Sequence, residues 1–264
     1  MRLTSTLVTG ASSGIGRALA LACAAPGRTL HLSGRDSARL ADTEAACRGR
    51  GATVRTRRLD VADRAAMQDW IGEAGPLDLV LACAGLSGGP RRGEAGQARQ
   101  EDGEQIRRIF AVNLDGVVNT MLPAIASMQT QDRIDGVRGR IAAIASVAAA
   151  VASPSAPAYG ASKAAVDRWL VSNGGAFARE GIQLSSVCCG FVRTRMTESN
   201  RFPMPGIMEA DRAATLILRG VAAGRRRVVF PWWLYAGARA MDLLPVSVVE
   251  ALMSRQPGKA PQGE

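Results

Sequence analysis

Histidine is almost missing from this chain: of 264 residues, His31 is the one histidine. The five cysteines, Cys23, Cys47, Cys83, Cys188 and Cys189, are odd in number, scattered, and form no Cys-x-x-Cys pair. A structural zinc site draws on clustered His and Cys ligands, so no metal is expected. His31 lies inside an apolar run and is read as a strand residue. Aromatics are sparse at 4% and no nucleic-acid-binding motif accompanies them, so no nucleic-acid partner is expected. Long apolar runs are missing as well. No window approaches the roughly 18–20 uninterrupted apolar residues of a membrane span. The first residues lack an apolar h-region with a small-residue cleavage site. A cytoplasmic protein is the expectation. Positive charge is plentiful: 33 Lys and Arg against 23 Asp and Glu, a net +10. It is spread along the chain, and such a field favours anionic ligands, cofactors or lipid surfaces.

Hydrophobic residues make up 47% of the chain, enough for a sizeable core. Short β-rich runs alternate with longer helical patterns. Strands are expected at Thr4–Thr9, Thr29–Ser33, Thr53–Leu59, Leu77–Ala82, Arg140–Ala145, Ile182–Cys188 and Arg227–Phe230. Helices are expected at Ile15–Ala25, Ser37–Arg48, Arg64–Glu73, Glu104–Met128, Ala158–Arg179 and Ala210–Ala223. This alternation predicts an α/β fold, with a seven-stranded parallel sheet covered by helices on both faces. The expected form is a doubly wound Rossmann fold with right-handed crossovers. No linker divides residues 1–255, which are read as one domain. Leu86–Gly103 and Gln129–Gly139 look like loose loops, and residues 256–264 are expected to be disordered.

The first strand ends in TGASSGIG, Thr9 to Gly16. Gly10, Gly14 and Gly16 allow a tight turn and a close backbone approach to a pyrophosphate. The amides of the turn, from Ser12 through Ser13 and Ile15, and the positive end of the following helix would hold that anion. The spacing is G-x-x-x-G-x-G, and a plain tight turn is the competing reading. The second strand ends Ser33-Gly34-Arg35-Asp36. Arg35 is placed for a charge-assisted contact with a 2′-phosphate, and Arg17 would add to that field. Asp36 would argue for NAD if it faced the ribose instead. NADP(H) is favoured over NAD(H).

Tyr159 and Lys163, in YGASK, are four apart and share one helix face. Ser146 ends the IAAIAS strand ahead of them, and Asn113 sits in FAVNLDG. With TGASSGIG, LDV (59–61), VNL (112–114) and GFVRT (190–194), these pieces resemble the short-chain dehydrogenase/reductase family, in order, from residue 4 to about 230. The resemblance implies an oxidoreductase that moves a hydride between a nicotinamide and a carbonyl carbon. It implies Tyr159 as general acid/base, Lys163 favouring the phenolate and bonding the nicotinamide ribose, and Ser146 holding the substrate oxygen. Asn113 would fix a water behind Lys163. A free tyrosine, with a pKa of about 10, is a poor base at neutral pH, so the Lys163 ammonium and the positive charge of oxidised nicotinamide are together expected to lower it. Asp60 and Val61 resemble the adenine contact, with Asp63 left to cap the next helix. Ala84 and Gly85 allow close cofactor approach, and Thr194 with the Val192 backbone resembles the carboxamide clamp. A homodimer or homotetramer is a further implication.

Three departures from the family pattern stand out. Ala82-Cys83-Ala84-Gly85 replaces N-N-A-G, with some loss of local hydrogen bonding expected. Cys189-Gly190 replaces Pro-Gly, which is expected to soften that corner. Burial is expected for the Cys188-Cys189 pair. The end of the chain also differs. The segment after Thr194 is expected to cover the substrate with an apolar lining of Met196, Phe202, Met204, Ile207 and Met208, kept non-helical by Pro203 and Pro205. An apolar carbonyl or alcohol is the expected substrate, although Arg193, Arg195 and Arg201 offer an anionic handle. A non-enzymatic NADP(H) sensor or scaffold and a peripheral membrane-associated reductase are the alternatives.

The stretch RRRVVFPWWLY, Arg225 to Tyr235, is read as a solvated arginine turn, the last strand and a helix start. Residues 232–254 would form an added helical pair. Its first helix runs to Leu244 with Tyr235, Arg239 and Asp242 on one side. Its second follows Pro245 behind a capping box, Ser247 to Glu250. The pair is expected to cover the substrate side, make a subunit interface or rest on a membrane surface, in that order.

Overall fold

Short aliphatic runs with helices between them can bury both faces only as a covered parallel sheet. The computed structural model, which describes residues 3–90, 100–198, 200 and 202–253, has that form. In chain order the elements begin β1 (Ser5–Thr9), α1 (Gly14–Cys23), β2 (Thr29–Gly34), α2 (Ser37–Arg48), β3 (Thr53–Arg58), α3 (Arg64–Ala74) and β4 (Leu79–Ala82). Next come α4 (Gly103–Phe110), α5 (Gly116–Gln129), β5 (Gly139–Ile144), α6 (Pro157–Arg179) and β6 (Ile182–Cys189). The last are β7 (Val192–Arg193), α7 (Arg195–Glu198), β8 (Met208–Glu209), α8 (Ala210–Ala222), β9 (Arg227–Phe230), α9 (Trp232–Met241) and α10 (Val246–Met253). Seven strands make one sheet in the order β3-β2-β1-β4-β5-β6-β9, and its pairings are parallel. The expected doubly wound α/β fold is therefore present. The short strands β7 and β8 pair separately.

Alternate side chains point to opposite faces of a strand, so one strand feeds two cores. In β4, Leu79 and Leu81 join the cluster that includes Leu19, Leu40 and Ile217, from α1, α2 and α8. Val80 and Ala82 join the other, with Ile71, Met121 and Leu170 from α3, α5 and α6. Helix starts follow local chemistry. Asp36 caps α2 by accepting from the Arg39 amide at 3.0 Å, and Asp63 caps α3 through the Ala66 amide at 3.0 Å. The expected helix over Glu104–Met128 is interrupted by a π turn at Ala111–Asp115, which contains Asn113.

Together α4, the π turn and α5 span Gly103–Gln129, long and apolar enough by composition to cross a membrane. Half of the most apolar window is buried within the protein, as expected of a core helix. Asn113, Asp115 and Asn119 interrupt the segment, so it is not the uninterrupted apolar run of a membrane span.

Further corrections concern the end of the chain. Helix α10 begins at Val246, so Ser247 lies inside its first turn and does not cap it. The first added helix stops at Met241, three residues short of Leu244. Strand β6 runs through Cys189, which pairs with Phe230, and the Gly190 amide donates to the Phe230 carbonyl at 2.8 Å. That corner is tied to the last strand rather than softened. The expected tail, 256–264, lies outside the described residues.

Leu81 is fully buried in a central strand. A Leu81→Ala variant should lose about 2–5 kcal/mol of stability in urea unfolding. A loss below about 1 kcal/mol would contradict the close packing described.

Candidate active site

Parallel strands all end at the same sheet edge, and there a cavity of about 1170 Å³ opens. Its floor is the turn after β1. Gly10 and Gly14 adopt φ of +67° and +54°, a region that only glycine enters cheaply. A Cβ on Gly10 would lie 2.8 Å from the Ala84 Cα, and one on Gly16 would strike the Gly10 carbonyl. Ser13 begins α1 without a side-chain cap bond, and the first turn holds no acidic residue. The amides and positive dipole end of α1 therefore face the cavity as an anion cradle.

At the β2 end of the cavity lie Ser33, Arg35, Asp36, Arg39 and Asp60. Asp36 is occupied: it caps α2 and pairs with Arg39 at 2.7 Å. Its carboxyl is held below the usual range first by the Arg39 backbone N–H. Ser33 Oγ and Arg39 Nε are buried without a hydrogen-bond partner among the described residues. Asp60 accepts from the Ala62 amide at 3.0 Å and pairs with Arg108. Burial pushes its carboxyl up, but these bonds outweigh that and leave it low. Arg17 is exposed and is not part of the cavity wall, contrary to the expectation that it adds to this field.

Over the middle of the cavity stand Ser146, Tyr159 and Lys163. Lys163 is 3% exposed, and its Nζ donates to the Ile144 carbonyl at 2.7 Å. Burial pushes Lys163 down to about 8 and Tyr159 up to about 12, with the Ser146 hydrogen bond pulling Tyr159 the other way. The expectation that the ammonium lowers the tyrosine is not met in the protein alone, because removal from water dominates both groups. Lys163 and Lys259 are the only lysines of an arginine-rich chain. Lysine suits a buried position whose charge must respond to its surroundings.

Asn113 is fully buried but is not part of the cavity wall. Its Oδ1 accepts from the Leu86 amide at 2.7 Å, and its Nδ2 donates to the Leu86 carbonyl at 2.9 Å and to Ser162 Oγ at 3.0 Å. It thus clamps the chain after β4 onto α6 directly behind Lys163. Thr9 Oγ1 accepts from the Cys83 and Ala84 amides at 3.1 and 3.3 Å, which supplies part of the hydrogen bonding expected to be lost there.

The family model for the short chain dehydrogenase matches residues 4–204. The chain belongs to the short-chain dehydrogenase/reductase family. An uncharacterized oxidoreductase of Myxococcus xanthus is 32% identical over 97% of this chain and 98% of its own length. A 2-keto-3-deoxy-L-fuconate dehydrogenase of Xanthomonas campestris is 30% identical over 71% of this chain and 58% of its own. A short-chain type dehydrogenase/reductase structure from Mycobacterium marinum superposes with a TM-score of 0.71 at 24% identity. It covers 85% of this chain and 92% of its own, and supports the fold. The family implies an NAD(P) cofactor, and the glycine cradle, the α1 amides and the orphaned Ser33 and Arg39 atoms fit one.

All the expected site residues of this short-chain dehydrogenase/reductase except Asn113 line the cavity: Gly10, Ser12, Ser13, Gly14, Ile15, Gly16, Arg35, Asp60, Val61, Ala84, Gly85, Ser146, Tyr159, Lys163, Val192 and Thr194. Thr194 Cγ2 sits 3.1 Å from a Gly14 Cβ position. The Thr194 amide and the Val192 carbonyl are engaged by Thr197 Oγ1, at 3.0 and 2.8 Å. Of the expected substrate lining, Met196 and Phe202 reach the cavity, as do Pro203 and Pro205, whereas Met204, Ile207 and Met208 do not. Met208 packs on the core instead. Arg193 pairs with Glu209 at 2.7 Å, Arg195 lines the cavity, and Arg201 lies outside the described residues. A four-residue helix, α7, forms ahead of the two prolines.

Trp233, Leu234, Met241 and Met253, from α9 and α10, also wall the cavity. The added pair therefore covers the site. These residues were legible only as an apolar helix face. Arg39, in the first turn of α2, is a further cavity residue that no local pattern marked out. Cys83 and Cys189 line the cavity as well, and burial pushes the Cys189 thiol up to about 11. Among the described residues no group of three or more His, Cys, Asp or Glu is placed to hold a metal.

The chain has two tyrosines, Tyr159 and Tyr235, and both are raised, first by burial. Without cofactor, absorbance at 295 nm should show almost no phenolate up to about pH 9. Adding oxidised cofactor should move one tyrosine to lower pH, a shift missing in Tyr159→Phe. Phenolate at pH 8 in the free protein would contradict the burial described.

Proposed function

We propose that the protein is an NADP(H)-dependent reductase that interconverts a carbonyl and an alcohol on an apolar substrate, with Tyr159 as the general acid/base. One observation carries this reading: Ser146, Tyr159 and Lys163 meet in a cavity that is basic at one end and apolar at the other. At the basic end, Arg35 and Arg39 suit a 2′-phosphate, and the carboxylate of Asp36 is already spent on its cap and on Arg39. At the other end, Phe191, Met196, Phe202, Trp233, Leu234 and Met241 favour an apolar molecule, with Arg195 as one cation beside them.

The nicotinamide, when bound, supplies or takes up the hydride. The rest is the work of this chain. Ser146 holds the substrate oxygen next to Tyr159. In reduction, the Tyr159 hydroxyl gives its proton to that oxygen, and the Lys163 ammonium stabilises the phenolate left behind. A Tyr159 pKa of about 12 keeps the acid form ready at neutral pH. The reverse reaction needs the phenolate, which a positively charged neighbour favours. Asn113 keeps Leu86 and α6 in place behind Lys163, where a proton-carrying water would pass. A homodimer or homotetramer in the cytoplasm completes the proposal. The five free cysteines suit that reducing compartment.

Two substitutions test it against a panel of ketones and alcohols. Tyr159→Phe should lower kcat by about 10²–10⁴-fold while NADPH binding, read by its fluorescence, stays unchanged. Arg35→Ser should weaken NADPH by about 10–100-fold and leave NADH nearly unaffected. A wild-type protein that binds NADPH tightly yet turns over no carbonyl or alcohol would favour a sensor or scaffold. A preference for NADH would end the Arg35 argument.

A further inference from the structure

The helix that carries Tyr159 and Lys163 presents a third polar side chain on the same face, one turn further on: Asp167, whose side chain is 5% exposed. No step of the reaction uses it. Its carboxylate is nevertheless fully engaged. Arg227 of β9 grips it with both arms of the guanidinium, Nε at 2.9 Å and Nη2 at 2.8 Å. Ser186 Oγ donates at 2.6 Å and the Cys188 thiol at 3.3 Å, both from β6. The Arg227 guanidinium also lies over the Tyr235 ring, with its Cζ 5.7 Å from the ring centroid. Tyr235 belongs to α9, the helix whose Trp233, Leu234 and Met241 wall the substrate end of the cavity.

A chain of contacts therefore runs from the catalytic helix through Asp167 and Arg227 to the cavity wall. Asp167 is buried and Arg227 half-buried, and an ion pair taken that far out of water is seldom the most stabilising choice at its position, since an apolar pair of similar volume packs as well without the desolvation cost. It does impose one geometry, because a carboxylate and a guanidinium fork match in a single plane. Helix α9 needs such a constraint. None of its residues is fully buried, and Trp232 is 73% exposed. Apolar packing alone holds such a helix loosely.

We propose that Asp167 and Arg227 are positioning residues that lock α9 over the substrate end of the cavity through Tyr235, and so set which substrates the site admits. The claim about substrates rests on the reading that this end of the cavity takes an apolar carbonyl. The claim about α9 stands apart from it. In this arrangement the carboxylate fixes the arginine, the arginine fixes the ring, and the ring fixes the helix register relative to Tyr159.

The test compares full-length wild type with Tyr235→Leu, Arg227→Met and the double variant. Tyr235→Leu cuts the link from the α9 side and leaves the buried ion pair whole, so it folds even if Arg227→Met does not. In hydrogen–deuterium exchange, amides of residues 232–241 should exchange about five-fold faster or more in Tyr235→Leu, with β4 and β5 unchanged. The double variant should be no faster there than Arg227→Met alone, because both changes break the same link. With trans-1-decalone, a bicyclic apolar ketone, the KM of Tyr235→Leu should rise while kcat and NADPH affinity hold. Unchanged exchange in α9, equal acceleration throughout the core, or additive effects in the double variant would each overturn the proposal. Wild type that is inert toward decalone and every other ketone would sink the substrate reading and leave the exchange result to judge the clamp.

Discussion

An ammonium group kept out of water is the constraint around which this site is arranged. Lys163 is nearly inaccessible, and one of its three donors is taken by the Ile144 carbonyl at the end of β5. A buried cation is tolerated only where its surroundings are fixed and polar. That requirement ties α6 to β5 and brings Tyr159, one turn earlier, to the edge of the sheet. Asn113 secures the far side by holding the Leu86 backbone and Ser162 together. The same burial lowers Lys163 to about 8, close to neutral pH, and raises Tyr159 to about 12, well above it.

Around this centre the cavity divides by chemistry. The half around the glycine turn is built from backbone: glycines that leave room and the amides at the start of α1. That half tolerates little substitution, because a Cβ at Gly10 or Gly16 would meet main-chain atoms with nowhere to move. The other half is built from side chains on the segment after β7 and on the C-terminal helices, where size and shape can vary without disturbing the sheet. The net charge of +10 does not gather into one patch, and several arginines are spent within the structure. Arg108 pairs with Asp60, Arg193 with Glu209, and Arg227 with Asp167.

Arg227 illustrates the difference between reading a chain and seeing it folded. In the run Arg225–Arg227 it looks like one of three solvated turn residues. In the structure Arg225 and Arg226 are exposed as expected, whereas Arg227 is half-buried and bidentate with a carboxylate sixty positions earlier. No local pattern announces such a partner. Asp36 was ambiguous for a similar reason. Its use as a cap is visible only once α2 begins at Ser37 and the Arg39 amide is within reach. The lid residues Met204, Ile207 and Met208 have the right composition for a cavity lining. The direction each one faces depends on the β7–β8 pairing, which is only two residues long.

The sequence by itself determined the sheet, its order of helices and strands, and the residues that meet at its carboxyl edge. Period-2 and period-3.6 patterns, glycines at forced turns, and the one-turn spacing of Tyr159 and Lys163 are local properties that survive any arrangement of the rest. The tertiary structure decided what those residues experience. Burial moved the tyrosine and lysine in directions that proximity alone would not predict, since desolvation depends on every element packed around them. It also turned an apolar C-terminal helix into a cavity wall. Which face of α9 is used depends on how the distant Asp167 and Arg227 dock it.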